Sequence, residues 1–190
     1  MNAKPSYHLR TGCLLPIAVV LTLVAVPLRP AAAQQSPPGK EEVEKLNFLL
    51  GRWSLEVRHE PAPGVKEEGH GNGAGRITAV PGPGGLHILM DVELDEPGRK
   101  FSIHEIFTWD ARDMAYKNFA VNNAMPGGVT HTGKWEGQDL VFEAKLGGFT
   151  SRRVWSGITR DAYTYAFLGG AGGQPLRKVL TIVAKRAAEK

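Results

Sequence analysis

Three polar residues interrupt runs in which every second side chain is apolar: Glu105, His131 and Arg153. Glutamate and histidine can move a proton or orient a ligand, and arginine can pair with a carboxylate. If the apolar residues of these runs face a core, the three polar side chains face it as well. An isolated charge in a core is costly, so we expect each charge to be paired or to meet a polar ligand or water.

Two interpretations of this cluster stay open at the level of sequence. In the first, the three residues line a ligand cavity, whose apolar walls supply affinity and whose polar groups orient a carboxylate or hydroxyl of the ligand. In the second, Glu105 and Arg153 form an internal ion pair near an open end of the barrel, where the pair is solvated and no ligand is bound. The further candidates for the ligand site are Tyr163, Tyr165 and Trp155, with Lys178 as a less certain addition.

The turn at Gly147-Gly148 predicts how one pair of strands is aligned. If these two glycines form a two-residue turn, Phe142 lies opposite Arg153 and Leu140 lies opposite Trp155. Arg153 then stands on an otherwise apolar wall.

The same counting places the other two polar residues. When the strand alignment is counted through the preceding turn at Glu136–Asp139, His131 falls beside Ala144 on the same wall. In the preceding hairpin, Leu94 opposite Phe101 makes Glu105 the polar exception on an inner face. All three side chains are therefore predicted to project into one core.

Other candidates for chemistry are weaker. Familiar catalytic signatures such as H-E-x-x-H, G-x-S-x-G and the P-loop are absent from the sequence. Asp91 is predicted to face His104, but on the outer side of the hairpin and without a nucleophile beside it. His59 and His70 flank a loop and have no close ligand spacing, so we interpret them as loop histidines and expect no metal site and no cofactor.

Short strands must position these residues. After residue 51 the hydrophobic period is two, and short runs are broken by glycine, proline and aspartate. We predict an all-β fold, a single antiparallel up-and-down barrel of about eight to ten strands, because short breaks favour hairpins and closure removes exposed edges. Gly69–Gly75 is interpreted as a flexible loop between two strands. The clearest runs are Arg52–Glu60, Leu86–Leu94, Phe101–Trp109, Gly128–Trp135, Leu140–Leu146, Phe149–Gly157, Ala162–Leu168 and Leu176–Lys185.

A short helix is predicted before the first strand. Acidic residues at the start of Lys40–Leu50 suit the positive end of a helix dipole. Val43, Leu46 and Leu50 would share its buried face. Gly51 can end the helix.

The first 33 residues read as a cleaved secretory signal peptide. Lys4 and Arg10 precede an apolar run that is too short for an ordinary membrane span, and Ala31-Ala32-Ala33 suits signal peptidase. Removing this segment takes away three basic residues, no acid and the only cysteine, so the net charge falls from +4 to +1. We therefore expect a periplasmic or secreted protein with no disulfide, no nucleic-acid partner and no membrane span. Residues 34–39 are predicted to be a flexible tether, and residues 40–190 one domain.

The chain resembles the lipocalin-like (calycin-type) superfamily. The resemblance rests on a short helix, Gly51-Arg52-Trp53 at the first strand and Lys185-Arg186 at the last. It implies that Trp53 lies under the barrel floor against Arg186 or Lys185. Related barrels that bind haem use a histidine near the C-terminal end, and Leu176–Lys190 contains none.

More narrowly, the chain resembles an uncharacterised family of exported bacterial proteins with such barrels. That family shares an L-x-G-x-W opening, a Trp/Tyr-Asp turn followed by Tyr, and a G-x-W-E-G-x-x-L-x-F segment. The matching residues are Leu49–Trp53, Trp109-Asp110 through Tyr116, and Gly133–Phe142.

The sequence therefore favours an exported small-molecule binding protein, which holds a mostly apolar or amphipathic ligand with a polar or carboxylate handle inside a β-barrel. Two alternatives remain. One is an enzyme that uses Glu105 or His131 as acid or base, with one pKa moved toward the working pH. The other is a cell-envelope interaction module whose barrel is filled by its own side chains.

Overall fold

The structure, a computed structural model, describes residues 38–60 and 72–188. The predicted signal peptide, most of the predicted tether and His70 lie outside these residues. Within the described ranges no helix combines the length and apolarity needed to cross a membrane.

The fold is a closed barrel of ten antiparallel strands in the order β1-β10-β9-β8-β7-β6-β5-β4-β3-β2, which confirms the all-β prediction. Before the barrel come one short α-helix, α1 (Lys40–Glu44), and a 3-10 turn at Asn47–Leu49. The strands are β1 (Gly51–His59), β2 (Gly73–Pro81), β3 (His87–Glu96), β4 (Arg99–Asp110), β5 (Ala115–Asn122), β6 (Gly128–Glu136), β7 (Asp139–Leu146), β8 (Phe149–Ser156), β9 (Ala162–Ala171) and β10 (Arg177–Arg186).

Part of the segment predicted as a loop is strand. Gly73 to Gly75 begin β2 and pair with β3, so the loop prediction is wrong for these residues. A Cβ atom on Gly73 would lie 2.9 Å from the carbonyl oxygen of Asp95. Glycine therefore lets β2 approach β3 closely. The glycines that suggested a loop are needed for this contact between strands.

The predicted helix is shorter than the sequence indicates. After Glu44 the chain tightens to a 3-10 turn, which has about three residues per turn. The buried residues are consequently Val43, Leu46 and Leu49, spaced by three, whereas Leu50 is only half-buried. The prediction that Leu50 belongs to the buried face is thus wrong, and Leu49 takes that place.

The strand alignment predicted from the Gly147-Gly148 turn is confirmed. Phe142 pairs with Arg153, and Leu140 pairs with Trp155. Gly147 has a φ of 58°, the left-handed conformation that tight hairpin turns require.

The helix closes one end of the barrel. Trp53 is 1 % exposed, and its indole Nε1 donates a hydrogen bond of 2.9 Å to the carbonyl oxygen of Leu49. The guanidinium of Arg186 lies 4.2 Å from the centre of the Trp53 ring. Gly51 has a φ of 107°, and a Cβ there would lie 2.5 Å from Nη1 of Arg186. Glycine is therefore required where the chain turns beneath this stack.

A second contact holds α1 against the barrel. The hydroxyl of Tyr116 donates to Oε2 of Glu42 over 2.8 Å, and Nε1 of Trp135 donates to the Tyr116 oxygen over 3.2 Å. Burial and then the Glu42 carboxylate raise the pKa of Tyr116 to about 12. Glu42, Tyr116 and Trp135 thus bond to one another at this closed end.

Candidate ligand cavity

A cavity of about 520 Å³ lies inside the barrel, toward the end opposite α1. Its walls are mostly apolar because alternate residues of the strands point inward. Typical apolar lining residues are Ile77, Met90, Val92, Phe101, Ile103 and Ile182. A volume of this size is within the range of about 300 to 1,000 Å³ that small-molecule sites occupy.

The structure places all six residues of the predicted ligand site on the cavity wall. Four different strands supply them, because alternate side chains of each strand point into the barrel. Glu105 comes from β4, His131 from β6, Arg153 and Trp155 from β8, and Tyr163 and Tyr165 from β9.

Arg153 is the centre of a buried hydrogen-bond network. Its Nη2 donates to Oε1 of Glu105 over 2.5 Å, and its Nη1 donates to Oδ1 of Asn118 over 2.6 Å. Its Nε donates to the hydroxyl of Tyr165 over 3.0 Å. The side chains of Arg153 and Glu105 are 7 % and 2 % exposed, so the pair is buried rather than solvated. The ion pair that the second interpretation proposed is therefore present, within the cavity wall that the first interpretation proposed.

Aromatic rings surround the guanidinium of Arg153. It lies 5.1 Å from the ring centre of Trp155 and 5.4 Å from that of Tyr165, within cation–π distance. Burial opposes the charge, but the Glu105 carboxylate and the Tyr165 oxygen outweigh it and raise the pKa of Arg153. Burial also raises the pKa of Tyr165. Arg153 is thus a fixed cation, and Tyr165 a neutral phenol.

His131 and Ser151 form a neutral pair on the wall. Nε2 of His131 lies 3.3 Å from Oγ of Ser151, and the histidine is 5 % exposed. Burial, followed by the positive charge of Arg153, lowers the pKa of His131 to about 3. The imidazole is therefore uncharged at neutral pH. Its Nδ1 has no hydrogen-bond partner among the described residues.

Tyr163 and Asn118 carry further unpartnered atoms. The Tyr163 hydroxyl and Nδ2 of Asn118 are buried and make no hydrogen bond within residues 38–60 and 72–188. Tyr163 lines the cavity floor, where its ring packs 4.8 Å from that of Trp53. Burial raises the pKa of Tyr163, so its hydroxyl keeps its proton.

Asn118 is a site residue that the sequence analysis missed. It lies on β5, which was not among the clearest predicted runs, and it pairs with His131 on β6. The signal that could have found it is the inward alternation of Tyr116, Asn118 and Ala120 after the turn at residues 110–115.

A second cluster of charges lines the cavity at the end opposite α1. Nε2 of His59 lies 3.0 Å from Oε1 of Glu96, and Nε of Arg99 donates to Oε2 of Glu96 over 2.7 Å. His59 is the last residue of β1 and its side chain is only 10 % exposed. The interpretation of His59 as a loop histidine is thus wrong, because His59 belongs to β1 and lines the cavity.

Lys178 does not belong to the cavity. It is exposed, and the pairing of β10 with β9 shifts between Lys178 and Leu180. This irregularity breaks the alternation on which its inward placement depended, and Val179 and Leu180 line the cavity instead. The sequence prediction for Lys178 was wrong for this reason.

The pairing of Asp91 with His104 is confirmed on the outer surface. Nδ1 of His104 lies 2.7 Å from Oδ1 of Asp91, and the two side chains are 49 % and 68 % exposed. This pair is remote from the cavity, because both residues point away from the barrel interior.

Comparison with known proteins places the chain in a family. A family model described as "Protein of unknown function (DUF1579)" matches residues 38–166. A search of curated proteins finds no significant match.

Two solved structures share the fold. One is the crystal structure of Rv2717c from M. tuberculosis, with a TM-score of 0.54 at 14 % identity; the match covers 80 % of this chain and 99 % of that chain. The other is the structure of the S-type phycobiliprotein lyase CPES from Guillardia theta, with a TM-score of 0.52 at 10 % identity; the match covers 81 % of this chain and 99 % of that chain. At these identities the similarity establishes the fold alone.

Proposed function

Because the chain belongs to the DUF1579 family, whose description names no activity, we propose its function from the barrel itself: it binds one small, mostly apolar molecule in the cavity. The observation that carries this proposal is the cavity of about 520 Å³, lined largely by apolar side chains and by a few polar groups. That combination is typical of small-molecule sites.

The cavity favours binding over the two alternatives. A filled barrel, as an interaction module would have, leaves no space of this size. Acid–base catalysis by His131 is disfavoured because its pKa of about 3 is far from neutral pH. Glu105 is held by Arg153, so its carboxylate is committed to an ion pair.

The similarity to the phycobiliprotein lyase supports small-molecule handling by this fold. A bilin-type chromophore is therefore one class of ligand to look for. Arg186 over Trp53, together with Gly51, supports the relation to calycin-type barrels.

The proposal is tested by native mass spectrometry of protein purified from its own host. We expect a retained small molecule, and a visible absorption band if that molecule is a bilin-type chromophore. Ala120→Phe adds a ring to the cavity wall and should abolish retention, whereas Ala166→Phe, at a position outside the cavity lining, should not. Equal retention by both variants would contradict binding in the cavity.

We also propose that the protein acts in the periplasm or is secreted. The support is the order of basic residues, apolar run and Ala31-Ala32-Ala33 at the N-terminus. N-terminal sequencing of protein from the cell-envelope fraction should begin at or near Gln34. A chain in that fraction that still begins at Met1 would contradict cleavage.

A further inference from the structure

The charged groups that line the cavity are neutralised by one another. Two arginines lie on the wall, and each is bonded to a carboxylate: Arg153 to Glu105, and Arg99 to Glu96. Within the described part of the lining, positive and negative side chains are therefore equal in number if histidine is neutral. No arginine on this wall needs an anionic ligand to balance it.

The unpartnered polar atoms of the lining belong to neutral side chains. They are Nδ1 of His131 and the hydroxyl of Tyr163, which are 5 % and 2 % exposed as residues. A buried polar atom without a hydrogen bond is unfavourable, because it has lost its contact with water and gained no partner. A ligand that supplies the missing hydrogen bond removes this cost.

The His131–Ser151 contact lets Nδ1 adapt to the ligand. If the Ser151 hydroxyl donates to Nε2, Nδ1 carries the proton and donates; if Nε2 donates to the hydroxyl, Nδ1 accepts. Both arrangements keep the imidazole neutral. A carbonyl group of a ligand can accept from Nδ1 in the first arrangement, and a hydroxyl or amide group can bond to Nδ1 in either arrangement.

From this arrangement we infer that the ligand is uncharged where it contacts the wall, and that a hydroxyl, carbonyl or amide group of the ligand hydrogen-bonds to Nδ1 of His131. This inference rests on the proposed function and narrows it to a class of ligand. A carboxylate handle is disfavoured because it would add a second negative charge beside Glu105, competing for an arginine that already has three partners. A cationic handle would compete with Arg153 for Glu105 in the same way.

The test compares three probes that have the same chain and different headgroups: 1-decanol, decanoate and decyltrimethylammonium. Each is titrated against the wild-type protein loaded with the neutral fluorescent probe N-phenyl-1-naphthylamine, at pH 7.5. We expect 1-decanol to displace the fluorescent probe with an affinity about tenfold or more above those of the two ions, a difference of about 1.4 kcal/mol.

Two variants locate the polar contact. His131→Phe keeps a ring but removes both nitrogens, and should lower the affinity for 1-decanol about fivefold relative to that for the fluorescent probe. His104→Phe makes the same change on the outer wall and should leave both affinities unchanged. Tyr163→Phe removes only the second unpartnered atom and serves as the conservative variant if His131→Phe does not fold.

The outcomes separate the inference from the proposed function. Tightest binding of decanoate, or equal affinity for all three probes, would overturn the neutral-ligand inference while supporting a ligand cavity. The inference would also be overturned if both His131→Phe and Tyr163→Phe bound 1-decanol as tightly as the wild type does. Failure of the fluorescent probe and of all three chains to bind would contradict the proposed function, and with it the inference.

Discussion

Arg186 and Arg153 each lie over a tryptophan ring, but their surroundings differ. At the closed end, Arg186 lies over Trp53 and donates to the backbone carbonyl oxygens of Arg160 and Leu50 over 2.9 and 3.0 Å. In the cavity wall, Arg153 lies beside Trp155 and bonds the buried carboxylate of Glu105. Arg186 therefore joins segments of backbone at a partly solvated edge, whereas Arg153 is half of a buried ion pair.

The comparison shows that the same residue pair, arginine on tryptophan, can have different energetic roles. Removing Arg186 strands no buried charge, because its nearest carboxylate, Asp161, is 76 % exposed. Removing Arg153 leaves Glu105 buried without a cation. The predictions below test this contrast, in order of decreasing effect.

Trp53→Ala should destabilise the protein most, because it deletes a fully buried ring together with its hydrogen bond and its stack on Arg186. The expected loss in the free energy of unfolding is about 3 to 5 kcal/mol, measured by urea denaturation. A loss under about 1 kcal/mol would show that Trp53 is not part of the closed end.

Arg153→Met should cost about 3 to 4 kcal/mol, because methionine fills the apolar slot but leaves the carboxylate of Glu105 unpaired. The double variant Glu105→Gln/Arg153→Met should recover part of this loss, since no charge is then buried. Additive losses in the double variant would mean that the two residues do not act as a pair.

Arg186→Met repeats this substitution at the closed end and should cost less, about 1 to 2 kcal/mol. The loss comprises the cation–π contact and two hydrogen bonds to carbonyl groups that can turn to water. Urea denaturation of the two methionine variants side by side measures the contrast. Equal losses would contradict the different roles assigned to the two arginines.

Much of this site was accessible from the sequence because short turns fix the alignment of strands. The Gly147-Gly148 turn was sufficient to place Arg153 opposite Phe142. The sequence analysis failed where a strand is irregular or where a strand was not delimited. Lys178 was misplaced because the pairing of β10 is irregular, and Asn118 was missed because its strand was not delimited.

The partners of each charge were also beyond the reach of sequence alone. Alternation shows which side chains point inward, but Glu105 and Arg153 are 48 residues apart and lie on strands that are not neighbours in the sheet. The sequence therefore left the ion pair and the ligand anchor as alternatives. The structure shows the ion pair through three-dimensional distance, which strand-by-strand counting does not supply.

The smallest expected effect is the pH dependence of stability that His131 contributes. It tests whether the cavity wall, unlike the closed end, is kept neutral. His131 has a pKa of about 3 in the folded protein, below its ordinary value of 6.5, so the unfolded chain binds more protons between these values. Stability should therefore fall as the pH falls through this window, by at most about 1.4 kcal/mol per pH unit from this group.

Between pH 7 and 5.5, the wild type should lose about 1 kcal/mol more than His131→Phe, which lacks the titrating group. Urea denaturation of both proteins at several pH values measures this difference, and the carboxylates common to both cancel in the comparison. His104→Phe is the matched control, since His104 lies exposed on the outer wall, and it should follow the wild type more closely than His131→Phe does. Parallel curves for wild type and His131→Phe would mean that His131 is not held neutral by burial, and the cavity wall would then tolerate charge as readily as the solvated edge around Arg186.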